Sequence, residues 1–162
     1  MRIEHPIQPF YDAHSRILIL GSFPSVKSRE QGFFYGHPQN RFWRVLAAVF
    51  EDEIPESISR KKAFLHRHGV AVWDVIASCS IEGSSDSSIH DVVPNDLSRI
   101  LSTADIRAIF CNGKTSWNYY RKYQESATGI PAVSLPSTSP ANAAWTLEKL
   151  EGAWGIIADY LK

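Results

Sequence analysis

Four short apolar runs, separated by segments with helical character, constrain the fold of this chain more than any other feature. The runs occupy residues 17–20, 70–73, 106–111 and 131–135. None of them alternates apolar with polar residues, and continuous apolar runs of this length are typical of strands that are buried on both faces of a parallel sheet. The chain is therefore predicted to build a central, mainly parallel sheet of four strands.

Helical periodicity lies between these runs and after the last of them. The predicted helices cover residues 40–50, 57–68, 95–101 and 114–124. In a final helix apolar residues recur at steps of three and four up to Leu161, and we expect Ser139 to cap its start with Pro140 at its first position. Strands that alternate with helices predict a three-layer α/β/α sandwich with right-handed crossovers.

The length of the chain and a polar stretch complete the expected organisation. A chain of 162 residues fits one domain, which we expect to span residues 1–162. Residues 83–88, Gly-Ser-Ser-Asp-Ser-Ser, form a polar loop whose composition alone favours a simple linker.

Composition limits the partners and cofactors that are expected. Lys and Arg number 17 and so do Asp and Glu, so any affinity for DNA has to come from the local placement of charge. Cys79 and Cys111 form no CxxC motif and are too few for an iron–sulfur cluster with the usual four thiolates. Neither a signal-like N-terminus nor an apolar run of membrane length is present. We therefore expect a monomeric, cytoplasmic protein without metal, cofactor or membrane partner.

The segments that follow the four strands are the candidate site, because ligands of open α/β sheets bind beyond the carboxyl ends of the strands. These segments are residues 21–25, Asp74, residues 112–114 and residues 136–140. The first of them lacks the GxxxxGK[ST] pattern of a phosphate loop and the GxSxG pattern of a nucleophile elbow. No HExxH or HxxxH motif supports a metal site around Asp74. Nucleotide hydrolases, serine hydrolases and zinc hydrolases are thus disfavoured.

Residues 32–43 carry an aromatic cluster, two glycines and an amide directly before a helix. Aromatic faces stack on nucleic-acid bases, at roughly 1–3 kcal/mol per base. Phe42 and Trp43 lie on the apolar face of the predicted helix, so they are expected in the core. Tyr35 is as well suited to base stacking as to core packing. Asn40 is equally suited to capping the helix and to a role in a site.

Three segments, in the same order along the chain, resemble motifs of the uracil-DNA glycosylase superfamily. They are Gly-Ser-Phe-Pro-Ser at 21–25, Phe-Tyr-Gly-His-Pro-Gln-Asn-Arg-Phe-Trp at 34–43 and Leu-Pro-Ser-Thr-Ser-Pro-Ala-Asn at 135–142. The first two resemble the mismatch-specific uracil glycosylases. The whole set is most similar to the hypoxanthine (deoxyinosine) DNA glycosylase branch.

Two positions depart from the uracil-specific members of that superfamily. Phe23 stands where the mismatch-specific enzymes carry a water-positioning Asn, and the resemblance to the hypoxanthine branch places the catalytic amide at Asn40 instead. Asp74 falls where uracil-specific relatives carry a base-binding Asn. Strict specificity for uracil is therefore not implied.

The resemblance implies a monofunctional, metal-independent enzyme that flips a deaminated base out of damaged DNA and hydrolyses its N-glycosidic bond. Asn40 would position the attacking water, and the 135–142 loop would press on the duplex. The base-binding residues would be Ser22, Phe23, Phe34, Tyr35 and Asp74. The DNA-binding residues would be Ser25, Ser137, Thr138, Ser139, Pro140 and Lys114, with local positive charge from Lys27, Arg29 and Arg41.

Other interpretations of the sequence stay open. A non-catalytic nucleic-acid-binding module of the same fold would keep the serine loops without needing Asn40. A small-molecule hydrolase or nucleotide-binding domain is a third possibility, which the missing phosphate loop and nucleophile elbow disfavour. The preferred base is also open, because hypoxanthine, uracil and xanthine all present a ring N–H beside a carbonyl.

Overall fold

The four apolar runs form one parallel sheet in the computed structural model, which describes residues 2–161. The four predicted strands are confirmed, each within two residues of its expected bounds. In chain order the elements are β1 (Arg2–Glu4), β2 (Ile17–Gly21), α1 (Val26–Gln31), α2 (Phe42–Val49), α3 (Ile58–His68), β3 (Val70–Asp74), β4 (Ile76–Ser80), β5 (His90–Pro94), α4 (Ser98–Leu101), β6 (Ala108–Asn112), α5 (Lys114–Tyr123), α6 (Glu125–Thr128), β7 (Ala132–Leu135) and α7 (Leu147–Trp154).

The order of the strands in this sheet is β3-β2-β6-β7. In the parallel register Ile17 of β2 pairs with Val70 on one side and with Ala108 on the other. The chain moves from β2 to β3 in one direction and then crosses to β6 on the other side of β2. The strand order thus reverses between β2 and β6, and ligands of such sheets bind at the carboxyl ends of the strands that flank this switch point.

The crossovers place helices on both faces of the sheet. The connection from β2 to β3 and the connection from β6 to β7 run in opposite directions, and right-handed crossovers of opposite direction lie on opposite faces. Helix α5 packs on β6 and β7, while α7 packs against α2. The predicted three-layer α/β/α sandwich is therefore confirmed.

A second sheet, antiparallel with the order β1-β4-β5, was not predicted. Its strands lack continuous apolar runs, since β4 contains Ser78 and Ser80 and β5 contains His90 and Asp91. Ser78 and Ser80 are nevertheless buried, so tertiary packing outweighs their composition. This sheet brings the N-terminal segment next to the end of β3.

The start of the last helix differs from the prediction. Helix α7 begins at Leu147, and its cap is Thr146, whose side chain accepts a hydrogen bond from the Lys149 N–H. Ser139 instead accepts from the Ala141 N–H within a turn. The reason lies in the backbone carbonyls of residues 138–145, several of which accept hydrogen bonds from the Arg41 side chain and so do not build a helix.

The core is formed as expected on the inner faces of these layers. Phe42 is fully buried and Trp43 is 5% exposed, so the predicted core positions of both are confirmed, and Cys111 is buried as well. Strand β7 is less buried than predicted, because it lies at the edge of the sheet.

Within residues 2–161 no helix combines the length and the apolar character that crossing a lipid bilayer requires.

Candidate active site

A cleft of about 330 Å³ opens at the carboxyl edge of the parallel sheet, beside the switch point between β2 and β6. Its volume lies within the range of small-molecule sites, roughly 300–1,000 Å³. Every residue proposed from the sequence as catalytic, base-binding or DNA-binding lines this cleft except Lys114, whereas the basic residues Lys27, Arg29 and Arg41 lie outside its lining. Lys114 is exposed at the start of α5, and its contact with DNA stays a prediction.

Asn40 is anchored at the cleft by its side-chain oxygen. The Oδ1 atom accepts one hydrogen bond from the Phe42 N–H at 2.9 Å and one from the Thr138 hydroxyl at 2.8 Å. Because a backbone N–H can only donate, the atom facing Phe42 has to be the oxygen, which fixes the orientation of the amide. Asn40 therefore lies one residue before the N-cap position, Arg41, satisfies the first N–H of α2 and also lines the cleft. The Nδ2 group is the part of the amide left for the cleft.

Thr138 links this amide to the end of β6. Its hydroxyl accepts from Asn112 Nδ2 at 3.0 Å, and its N–H donates to Asn112 Oδ1 at 3.0 Å. Thr138 is fully buried, so its side chain positions Asn40 and is not available to bind DNA as was expected. In the sequence analysis Asn112 was only part of the candidate segment 112–114 and had no role of its own. Its role depends on a partner 26 residues away, which no local pattern indicates.

Arg41 holds the loop that borders the cleft. Its guanidinium donates to the carbonyls of Ser139 at 2.8 Å and Asn142 at 3.2 Å, and also to that of Trp145. An Arg fork that is committed to backbone carbonyls has few N–H groups left for direct hydrogen bonds to phosphate, although its charge remains. The structure shows that Arg41 shapes the 138–145 segment, and its contribution of positive charge at the site edge stays a prediction.

Tyr35 forms part of one wall of the cleft. Its ring stacks on Phe42, with 3.9 Å between ring centroids and 18° between planes. Its φ of 54° lies in the left-handed region, which is uncommon for an aromatic residue and costs on the order of 1 kcal/mol or more. Phe34, directly before it, is 2% exposed and also borders the cleft. The fold thus holds Tyr35 in a strained conformation, as is common at functional sites.

The Tyr35 hydroxyl is enclosed and has no hydrogen-bond partner among the described residues. Burial raises the pKa of Tyr35 above its usual range, the Asp74 carboxylate raises it further, and the amide of Asn112 offsets part of the rise. The hydroxyl therefore keeps its proton at neutral pH. It is a donor close to the space where a ligand would lie.

The polar loop at 83–88 is part of the site, so its interpretation as a linker is wrong. Asp86 lines the cleft and accepts a hydrogen bond from the Ser22 hydroxyl at 3.0 Å. Burial of its carboxyl group raises the pKa of Asp86, the Ser22 hydrogen bond opposes this rise, and the nearby Asp74 adds to it. The loop is fastened by Arg29, which donates to the Gly83 carbonyl at 2.9 Å while its guanidinium lies over the Phe23 ring.

Asp74 ends β3 with a side chain that is only 5% exposed. Its side-chain partner is His5, whose Nε2 lies 2.8 Å from Oδ2. His5 was not considered from the sequence. Only the unpredicted antiparallel sheet brings it beside β3, so no sequence signal indicated it.

The predicted DNA-binding serines make local hydrogen bonds at the rim. Ser25 caps α1 by accepting from the Ser28 N–H at 3.1 Å. Ser137 accepts from the Ser139 N–H at 3.1 Å, and Pro140 beside them is exposed. Whether these serines and Pro140 also contact DNA phosphates stays a prediction.

In residues 2–161 no group of three or more His, Cys, Asp or Glu side chains is arranged to hold a metal ion.

Residues 8–159 match the family model of the uracil DNA glycosylase superfamily. A hypoxanthine DNA glycosylase from Methanosarcina acetivorans is 33% identical over 148 residues, which are 90% of this chain and 92% of that protein. A hypoxanthine DNA glycosylase from Methanosarcina barkeri is 32% identical over 149 residues, with the same coverage. The solution NMR structure of a candidate uracil DNA glycosylase from Methanosarcina acetivorans superposes with a TM-score of 0.84 at 30% identity, and 99% of each chain is covered.

Proposed function

Because the chain belongs to the uracil DNA glycosylase superfamily, a family of DNA glycosylases, we propose that it hydrolyses the N-glycosidic bond of hypoxanthine in DNA. Support comes from the names of two relatives that align over 90% of the chain. The observation that carries the proposal is the anchored amide of Asn40 at the switch-point cleft. A base inside the duplex cannot reach this cleft, so it first has to be flipped out of the stack.

In this proposal Asn40 positions water and does not deprotonate it, because an amide is not a base near neutral pH. Its Oδ1 already accepts two hydrogen bonds, so the free Nδ2 is the group that holds the water. A donor that engages one lone pair of the water leaves the other for the sugar carbon. The bond to the base then has to break largely before water attacks, through an oxocarbenium-like transition state.

The leaving base would be stabilised from the end of β2. Ser22 and Phe23 line the cleft, and their backbone N–H groups would meet the charge that develops on the departing ring. The Tyr35 ring would stack on the base. Among residues 2–161 no lysine lines the cleft as a candidate Schiff-base nucleophile. We therefore propose a monofunctional enzyme that leaves the DNA strand intact.

Asp74 argues against a pocket that is strictly selective for uracil. An ionised carboxylate only accepts hydrogen bonds, so it takes the ring N–H of the base but repels the neighbouring carbonyl. An Asn at this position would satisfy both groups at once, which suits strict uracil recognition. The carboxylate thus fits a pocket in which hypoxanthine is released at least as well as uracil, with xanthine as a further candidate.

The experiment that tests the catalytic role compares Asn40→Ala and Asn40→Asp. Asp keeps an oxygen for the Phe42 N–H and the Thr138 hydroxyl but loses the Nδ2 donor, whereas Ala loses both. We expect both variants to bind DNA yet to lose base release by about 10²–10³-fold, the effect of removing one positioned donor. Single-turnover release of free hypoxanthine and DNA binding by fluorescence anisotropy measure the two properties. Excision at the wild-type rate by both variants would make Asn40 a helix cap only.

One observation favours a second candidate, a non-catalytic nucleic-acid-binding module. The hydrogen bonds of Asn40 to Phe42 and Thr138 would also occur if the amide had only a structural role. In that case the wild-type protein binds hypoxanthine-containing DNA without releasing the base. The same release assay on the wild type separates the two candidates.

A further inference from the structure

His5 lies against the end of β3 and has no role in the mechanism derived above. Its Nε2 is 2.8 Å from Asp74 Oδ2, and the two side chains are only 3% and 5% exposed. The His5 N–H donates to the Ala77 carbonyl of β4 at 2.7 Å, which ties this residue to the antiparallel sheet. The contact with Asp74 is therefore a buried, fixed feature of the fold.

The hydrogen bonds of the ring define its protonation. The Ile7 N–H donates to His5 Nδ1 at 3.2 Å, so Nδ1 has to be the acceptor nitrogen. Nε2 then carries the hydrogen, and it donates to the Asp74 carboxylate. A neutral imidazole satisfies both contacts.

Aromatic side chains hold this ring in place. Its centroid lies 5.7 Å from that of Phe23, 6.3 Å from that of Phe34 and 6.4 Å from that of Trp73. Phe23 and Phe34 also line the cleft. The ring orientation is thus set by packing as well as by hydrogen bonds, and the N–H of Nε2 points at Asp74 without a competing partner.

The other carboxylate oxygen of Asp74 lies over Gly21 at the end of β2. A Cβ atom at Gly21 would be 2.4 Å from Asp74 Oδ1, so this packing requires a glycine. The same Cβ position is 3.0 Å from the Tyr35 hydroxyl, so Oδ1 and this hydroxyl both lie beside Gly21, and all three residues line the cleft. One oxygen is therefore committed to His5 and the other remains for a ligand.

We propose that His5 is a positioning residue for base selection, which holds the Asp74 carboxylate so that a single acceptor oxygen faces the flipped base. The proposal rests on the proposed function, in which Asp74 accepts the ring N–H of that base. Without the His5 donor both oxygens are free, the carboxylate can rotate, and its buried charge loses a hydrogen bond. The acceptor is then no longer aligned with the base.

The test combines two variants of His5 with Asp74→Asn in a double-mutant cycle. His5→Phe keeps a ring among the aromatic neighbours but removes the N–H, and His5→Gln keeps a side-chain N–H donor. Single-turnover release of hypoxanthine and of uracil is measured for every variant, with thermal unfolding to establish that each is folded. We expect His5→Phe to slow hypoxanthine release by about 10-fold or more, as for the loss of one hydrogen bond to a charged group, and His5→Gln to retain more of the rate.

In the Asp74→Asn background His5→Phe should have little further effect on the ratio of the two rates, because the carboxylate through which His5 acts is gone. If His5→Phe lowers the rate of hypoxanthine release by the same factor in the wild-type protein and in Asp74→Asn, His5 has a structural role only and the proposal is overturned. An unchanged rate for folded His5→Phe, or an unchanged ratio for Asp74→Asn, would overturn it as well. A wild-type protein that releases neither base would instead refute the proposed function itself.

Discussion

At the residue scale, the two polar atoms of one amide divide two roles at Asn40. The oxygen is used by the fold, through Phe42 and Thr138, which leaves the nitrogen for the role proposed above in a residue that lines the cleft. The structural hydrogen bonds of Asn40 and its proposed positioning of water are therefore compatible. The same division occurs at Asp74, where one oxygen is bound by His5 and the other is near Tyr35.

Asp74→Asn is the substitution that examines base selection. Asn can donate to the carbonyl that the carboxylate repels, so we expect the ratio of hypoxanthine release to uracil release to fall by about 10-fold, the effect of roughly one hydrogen bond. Both rates are measured side by side on duplexes that differ only in the damaged base. Asp105→Asn, at a side chain that is 78% exposed, is the matched control and should leave the ratio unchanged. An unchanged ratio in Asp74→Asn would place Asp74 outside the base pocket.

Asp86→Asn changes the pH dependence of stability. Burial and, to a lesser extent, the nearby Asp74 raise the pKa of Asp86 above its ordinary value despite the opposing Ser22 hydrogen bond, so the folded state binds its proton more tightly than the unfolded state does. The folded state is therefore destabilised as the pH rises from the pKa that Asp86 has in the unfolded chain through its raised pKa in the folded protein. Asn keeps an acceptor for the Ser22 hydroxyl and carries no charge.

We expect Asp86→Asn to unfold at a higher temperature than the wild type at pH 7, by about 2–4 °C for a gain of up to ~1 kcal/mol. This advantage should shrink as the pH falls below the pKa of Asp86 in the unfolded chain, because the wild-type carboxyl is then as neutral as the amide of the variant. Thermal unfolding across this pH range gives the result. A lower melting temperature for the variant at pH 7 would contradict the destabilising effect of the Asp86 charge.

The residues that could be predicted from the sequence are those that adjacent residues define. Asn40 and Tyr35 lie within one continuous motif, and Asp74 follows directly on an apolar run. His5 and Asp86 could not be predicted, because each acts through a partner more than 60 residues away. Such pairs are created by the antiparallel sheet and the 83–88 loop, not by a local pattern.

At the element scale, the segment between β7 and α7 shows how one side chain shapes a loop. Arg41 donates to several carbonyls between Thr138 and Trp145, which keeps these residues out of a helix. Ser139 and Pro140 have the residue types of a helix start, yet α7 begins only at Leu147. Local propensity is outweighed here by a contact from a residue about 100 positions earlier in the chain.

Arg41→Lys separates the loop-shaping role from attraction to phosphates, because Lys keeps the positive charge but loses the guanidinium fork. We expect faster amide hydrogen exchange in residues 138–145 and base release slower by on the order of 10-fold, as for hydrogen bonds from a charged group. The salt dependence of DNA binding should stay unchanged, since the charge is retained. Wild-type exchange in this loop, together with wild-type base release, would contradict the loop-shaping role.

At the scale of the whole molecule, the parallel sheet creates the cleft through its strand order. The reversal between β2 and β6 leaves the crevice in which Asn40, Tyr35 and Asp74 meet. The four strands and the three layers could be predicted because buried parallel strands have continuous apolar runs. The antiparallel sheet could not, because Ser78 and Ser80 give β4 no apolar run although both are buried.

The central claim, that this cleft releases hypoxanthine from DNA by hydrolysis, is tested most directly by base release from a panel of duplexes. Each duplex carries one hypoxanthine, uracil or xanthine, EDTA is present throughout, and both free base and strand integrity are measured. We predict that hypoxanthine is released at least as fast as uracil and that the strand stays intact until alkali is added. Release of uracil with hypoxanthine left in place would contradict the assigned substrate, and no release from any duplex would contradict the glycosylase activity itself.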